Sequence, residues 1–400
     1  MARADTANLS VILPVVVLAS SVSIMSTDVY TPSLPHLPEY FGTTPQAVKL
    51  TISLNILAFA LAQLVLGPVS DRFGRRPVML IGLLLFTCAS IACAAAQSIG
   101  QLIMMRVAQG LSASVEAVVG LAIIRDLFKD TDQVRALAIW GMAISITPAA
   151  APILGGYVHV WFGWRLNFWI VAACAAATTF LIWRTLPEST VPDRSALAPR
   201  VLGRAYWDLV RNRPFIGYVL VLGASLGMIF AFITAGPFIL IEQFGVPTHH
   251  YGYYQGIIVA AFFLGSLGAN WLASRTRLDT LFAAGLIVCG LGAAAVSILG
   301  LLGALTPAPL VITMSLIAFG MGPIFAVGPS FALGFVSRNV GAASALIGSG
   351  QMLICGLASG FVTAFHDGTS WPFVCVTMLL LLVAGIAWRL TGSSPRTPST

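Results

Sequence analysis

Runs of about 20 consecutive apolar residues, the length that carries an α-helix across bilayer hydrocarbon, recur twelve times along this 400-residue chain. Inside lipid every backbone N–H and C=O needs a partner within the protein, and a run of this length supplies them by coiling into a helix. The runs fall near 9–31, 46–66, 77–96, 99–124, 133–158, 164–186, 215–241, 251–273, 279–300, 306–331, 340–365 and 370–390. Only 9% of the residues are charged, where a soluble domain carries about 25%. The expected fold class is therefore all-α integral membrane. Twelve transmembrane helices form two six-helix halves, 1–186 and 215–400, joined by a cytoplasmic linker at 187–214.

The cations orient this array. With the N-terminus inside, the inner segments hold every Lys and Arg except Lys49 and Arg165, which fall outside, and Arg106, which falls within a span. This asymmetry is the positive-inside pattern and places both termini in the cytoplasm. It also accounts for the net charge of +7 without a nucleic-acid partner. The first run is long and ends in no clear small-residue cleavage site, so it reads as an uncleaved helix rather than a secretory signal. In the linker, Val201–Val210 has apolar residues near helical spacing with Arg204, Asp208 and Arg211 opposite, which suits a short helix on the membrane surface. Six cysteines lie within the runs without metal-ligand spacing, and His249–His250 reads as a solvated pair in an outer loop. Neither metal nor cofactor is expected.

Between the second and third runs stands Gly67-Pro-Val-Ser-Asp-Arg-Phe-Gly-Arg-Arg-Pro77. Asp71, Arg72, Arg75 and Arg76 are costly in lipid, and Gly67 and Gly74 allow sharp turns, so the segment is expected to be a charged inner loop. Gly268 to Asp279 holds the same place in the second half without the charge pattern. Twelve spans, a central linker and this decapeptide resemble the major facilitator superfamily. Thr27–Pro35, Gln63–Pro68, Arg106-Val-Ala-Gln-Gly110, Ile124–Phe128 and Pro237–Glu242 resemble its bicyclomycin/chloramphenicol-resistance (Bcr/CflA) branch. The resemblance implies a proton-coupled exporter of drugs or small metabolites. It also covers Thr147–Gly156, similar to that family's antiporter signature, although Ala151 stands where the signature has a glycine. Pro148 and Pro152 can bend this fifth helix, and Gly155 and Gly156 admit a close neighbour, so the four are expected to form a gating helix.

Three ionisable residues lie clearly within spans: Asp28 on the first, and Arg106 and Glu116 on the fourth. Such groups mark transport pathways by default. Arg106, Gln109, Ala113, Glu116 and Gly120 share one helical face, expected to border a central cavity. Arg106 and Glu116 are about 15 Å apart along the axis, so Asp28 is the expected partner of Arg106. Opening and closing the cavity would then switch Asp28 between proton binding and release. Glu116 is either a second proton site or a contact for cationic substrates. Arg75 or Arg76 is expected to pair with Asp126 at the inner end of the fourth helix, completing a gating network with Gly67, Asp71, Arg72 and Gly74. Tyr30, Asn55, Phe59, Gln109, Phe232 and Tyr254 are the expected substrate-cavity residues.

The chain is thus expected to be a multi-pass inner-membrane antiporter and a monomer, whose partners are a small-molecule substrate, protons and the lipid bilayer. An uptake symporter or facilitator would share the fold, and a non-transporting sensor is the other alternative. No Ser/His/Asp set or nucleotide loop suggests an enzyme.

Overall fold

In a computed structural model, the protein is described at residues 6–191, 199–336 and 340–391. The middle of the linker and the inner placement of Arg3, Arg194, Arg338 and Arg396 lie outside the described residues. Fourteen α-helices and no strand occur among the described residues. The first helices are α1 (Thr6–Asp28), α2 (Leu37–Phe41), α3 (Pro45–Phe73), α4 (Arg75–Ala95), α5 (Ile99–Leu127), α6 (Asp130–Phe162) and α7 (Trp164–Thr185). They are followed by α8 (Pro199–Arg211), α9 (Arg213–Pro237), α10 (Tyr251–Ala273), α11 (Leu278–Leu301), α12 (Pro307–Gly334), α13 (Val340–Ala364) and α14 (Trp371–Leu390). A 3₁₀ turn, Thr31–His36, joins α1 to α2, and a π turn, Phe238–Gln243, extends α9. Twelve of these segments are long and apolar enough to cross a membrane, so the protein is a multi-pass membrane protein. The remaining long helix, α8, occupies the place expected for the surface helix of the linker.

Helix ends follow local chemistry. Thr44 and Ser98 each accept a main-chain N–H in the first turn of the helix they precede, from Ala47 and Gln101 at 3.3 Å, the usual N-cap arrangement. Pro45 opens α3 where no N–H is needed. Between α3 and α4 the chain reverses at one residue, Gly74, with φ +98°, a region that residues bearing a Cβ avoid. This corrects the expected loop: α3 continues through Gly67 and Pro68 to Phe73, so Gly67 makes no turn and most of the decapeptide is helical. Pro68 removes one main-chain hydrogen bond inside α3, a loss that membrane helices tolerate.

The chain divides into two compact units, Met1–Ala198 with Thr248–Gly252, and Pro199–Pro247 with Tyr253–Thr400. In the first, α5 packs against α3, α4 and α1, and α1 also meets α6 and α7. Ile12, Val16 and Ala19 interlock there with Met79, Leu83, Val119, Ile123 and Ile182. In the second, α9 packs against α12, α13 and α14, and α11 against α12 and α14. The Thr234 and Ser359 hydroxyls meet at 2.6 Å within it, and the rings of Phe282 and Trp388 stack at 5.5 Å. Not every cysteine is a buried packing residue: Cys88 and Cys375 are exposed on the helix surface, where a small apolar thiol meets lipid at little cost.

Candidate functional site

The first unit is organised around a buried guanidinium. Arg106 is fully buried, with Nη1 donating to the Ser26 carbonyl at 3.1 Å and to Gln109 Oε1 at 2.5 Å. Nε donates to the Thr51 carbonyl at 3.4 Å. The cation lies 4.7 Å from the centre of the Tyr30 ring and 5.9 Å from that of Phe168, a stacking arrangement that suits a planar guanidinium. Its Nη2 finds no hydrogen-bond partner among the described residues. The cluster is braced from outside. Gln109 Nε2 donates to Ser90 Oγ at 2.8 Å, Asn55 Nδ2 donates to the Arg106 carbonyl at 2.7 Å, and the Tyr30 and Thr51 hydroxyls bond each other.

The Asp28 carboxylate is not among the groups that hold Arg106. The expected pairing therefore gives way to main-chain carbonyls, an amide and two rings. Asp28 is nonetheless buried, ends α1 two residues after Ser26, and lies within electrostatic reach of Tyr251.

The α5 face bearing Arg106, Gln109, Ala113, Glu116 and Gly120 is buried throughout. It is sealed against α1 and α3 instead of bordering a cavity, because small residues let the backbones close in. Ser23 Oγ donates to the Ala113 carbonyl at 3.0 Å and Ser20 Oγ to that of Glu116 at 3.5 Å. Opposite Gly110, an added Cβ would sit 2.2 Å from the Asn55 carbonyl oxygen. Glu116 is fully buried, and neither carboxyl oxygen has a hydrogen-bond partner among the described residues. Leaving such a group unpaired in low dielectric is expensive, which sets it apart from packing residues. Trp140 Nε1 closes the end of this pocket by donating to Ser20 Oγ at 3.0 Å.

Of the expected cavity residues, Tyr30, Asn55, Gln109 and Phe232 are buried, the last against Phe373 at 6.1 Å. Phe59 and Tyr254 remain partly exposed.

The other polar cluster surrounds the α3–α4 turn. Arg75 reaches Asp126 at 3.2 Å, as expected, and also pairs with Asp71 at 2.6 Å. Sequence reasoning missed Glu188, just beyond α7. Its Oε1 accepts the N–H of Arg75 at 2.8 Å and its Oε2 that of Arg76 at 3.3 Å, so a carboxylate faces the positive end of α4. Gly74 is required here by its φ of +98°, and a Cβ there would also push against the Glu188 carboxylate end. Ser189 Oγ donates to Asp126 Oδ2 at 3.2 Å, and Arg76 holds the Trp183 carbonyl at 2.8 Å. The signal was a lone acid directly after an apolar run. Arg72 lies against Phe73, 5.4 Å from its ring centre.

Helix α6 runs unbroken through Pro148 and Pro152. Gly155 touches the turn after α1, where an added Cβ would be 1.6 Å from the Val29 carbonyl oxygen, and Gly156 lies beneath Thr248 and His249. His249 packs on Tyr157 at 5.5 Å, so the expected solvated pair is half seated on α6.

A family model described as Major Facilitator Superfamily matches residues 16–303. Among similar proteins, the Bicyclomycin resistance protein homolog of Haemophilus influenzae is 24% identical over 90% of this chain and 91% of its own. Multidrug resistance protein D of Escherichia coli is 28% identical over 97% and 96%. A bacterial homolog of the human lysosomal transporter Spinster has the same fold, with a TM-score of 0.77 at 15% identity, covering 99% of this chain and 100% of that one. The twelve spans, the charged α3–α4 turn and the match over residues 16–303 agree on one conclusion: the chain belongs to the Major Facilitator Superfamily, a family of transporters and not of enzymes.

Proposed function

We propose that the protein is a proton-coupled exporter of drugs or small metabolites that works by alternating access. The observation that carries this reading is a pair of buried ionisable groups inside the membrane span that keep unpaired atoms among the described residues: Arg106 Nη2 and both Glu116 carboxyl oxygens. A structural tie would be satisfied at every atom; groups held short of partners are available to a proton or a ligand. The names of the relatives, bicyclomycin resistance and multidrug resistance, support drugs as substrates.

Asp28, Arg106 and Glu116 are assigned to proton coupling. A carboxyl gains a proton when its surroundings dry and loses it when a cation approaches, and Arg106 stands two residues from Asp28 through the Ser26 carbonyl. Tyr30, Asn55, Phe59, Gln109, Phe232 and Tyr254 are assigned to substrate contact. The engagement of Tyr30 and Gln109 with Arg106 means that substrate contact there rearranges the cluster, linking binding to the proton site. Gly67, Asp71, Arg72, Gly74, Arg75, Arg76 and Asp126 form the inner gating element, and Pro148, Pro152, Gly155 and Gly156 the gating helix. Two six-span halves, 1–186 and 215–400, are joined by the linker 187–214. The protein acts as a monomer in the inner membrane with both termini cytoplasmic, binds a small molecule and protons, and has no nucleic-acid role. Each pH unit supplies about 1.4 kcal/mol per proton and 100 mV about 2.3 kcal/mol per charge, enough for one or two protons to drive a modest gradient.

The test is chloramphenicol and bicyclomycin flux in reconstituted vesicles under pH gradients of either sign. Antiport predicts drug movement against the proton flow. Movement with the protons would replace export by symport, and flux indifferent to the gradient would exclude coupling.

A further inference from the structure

Four of the five histidines in the chain gather at one end of the first unit, and the coupling cluster uses none of them. His36 and His159 stack with ring centres 4.6 Å apart and planes 24° from parallel. His36 Nε2 meets Thr248 Oγ1 at 2.9 Å, His249 lies 4.3 Å from His250, and the ring of Tyr157 supports His249. Segment Thr248–Gly252 is fitted to α6 by backbone contact. A Cβ on Gly252 would lie 2.4 Å from the Ile153 nitrogen, and one on Gly156 3.0 Å from the Thr248 carbonyl. His159 Nδ1 is buried with no hydrogen-bond partner among the described residues.

We propose that this imidazole cluster is a proton-operated clasp, holding segment Thr248–Gly252 on α6 when the rings are neutral and releasing it when they are charged. Neutral stacked rings attract, and one of them accepts the Thr248 hydroxyl or donates to it. Charging both rings of the stack sets like charges 4.6 Å apart, where repulsion is strong in a partly dry setting. An imidazolium also carries a proton on each nitrogen, and the Nδ1–H of a charged His159 has no acceptor in the closed form, whereas water supplies one when the segment lifts. The surrounding titratable groups do not cancel this. Glu39 acts on His36 alone, so it steadies one charge and not the second. Arg165 is held by Tyr40 and the Ala96 carbonyl, and adds no negative charge. Tyr157 faces the segment from α6, and Tyr251 within it lies near Asp28. His36 and His250 are exposed, so bulk protons reach the cluster directly.

Hydrogen exchange of peptides covering 246–254, in the purified full-length protein in detergent, tests this without any transport substrate. After correction for the intrinsic pH dependence of amide exchange, wild type should show about 10-fold faster exchange there at pH 5 than at pH 8. His36→Gln, His159→Gln and the double variant His249→Gln/His250→Gln should keep the pH 8 protection and lose most of the acid response. Equal protection of wild type at both pH values would overturn the proposal, as would an acid response undiminished in all three variants. Loss of pH 8 protection in all three would also overturn it, by making the rings packing elements rather than a proton switch.

Discussion

Gly155 offers the sharpest quantitative prediction, because its surroundings leave no room for a methyl group. In Gly155→Ala the new Cβ would sit 1.6 Å from the Val29 carbonyl oxygen, where ordinary contact begins at 3.4 Å. The α6 backbone and the turn after α1 must therefore part by 3.4 − 1.6 = 1.8 Å. Neither element yields as a flexible side chain would: the obstacle is backbone, and the Gly155 carbonyl is itself held by Asn167 Nδ2 at 3.3 Å. Overpacking of this kind costs about 3 kcal/mol, which for a unit of this size lowers Tm by about 6–12 °C. Gly141, on the same helix, is the control, since an added Cβ there meets nothing within 4 Å among the described residues. Alanine is the better helix former by about 1 kcal/mol, so Gly141→Ala should leave Tm unchanged or raise it slightly. The assay is the fraction of protein remaining monodisperse by size-exclusion chromatography after heating in detergent. A neutral Gly155→Ala, or equal losses at both sites, would refute the close contact and with it the assignment of Gly155 to the gating helix as a close-approach residue.

Other outcomes follow from the same geometry. Glu188→Gln removes the charge at the α4 N-terminus and keeps one of the two acceptor oxygens, and should cost about 0.5–1 kcal/mol; Glu188→Ala, which loses both main-chain bonds, should cost about 1–2 kcal/mol, both read as Tm shifts. Asp126→Asn weakens a part-exposed pair and should cost less than 1 kcal/mol in stability, while altering transport rate if the pair belongs to the inner gate. Arg106→Lys retains the charge but not the fork that serves Ser26, Thr51 and Gln109 together, so drug-dependent proton release should fall at least 10-fold while expression persists; full activity would reduce Arg106 to a point charge.

The fold was legible because membrane spans are written in composition: a run long enough to cross lipid must be helical. The Arg75–Asp126 pair was legible because both residues stand at helix ends on the same side of the expected array, one at the start of the third run and one at the end of the fourth. The partners of Arg106 were not. Any residue can present a carbonyl, so Ser26 and Thr51 left no trace in residue type, and the search for an opposite charge pointed to Asp28. Gly67 misled because glycine marks both turns and close helix packing, and only the backbone angle, confined here to Gly74, distinguishes them. The α5 face was identified correctly as one face but assigned to a cavity, since periodicity reveals which residues share a surface and not what covers it. The serines of α1 that cover it, Ser20 and Ser23, are spaced for helix packing and resemble many others in the chain.

The central claim is that ionisable groups inside the span exchange protons with substrate binding. Its most direct test is proton release from purified, detergent-solubilised protein on addition of chloramphenicol or bicyclomycin, comparing wild type with Asp28→Asn and Glu116→Gln. The account predicts release by wild type, abolished in Asp28→Asn and reduced in Glu116→Gln. Release of normal size from both variants would contradict it.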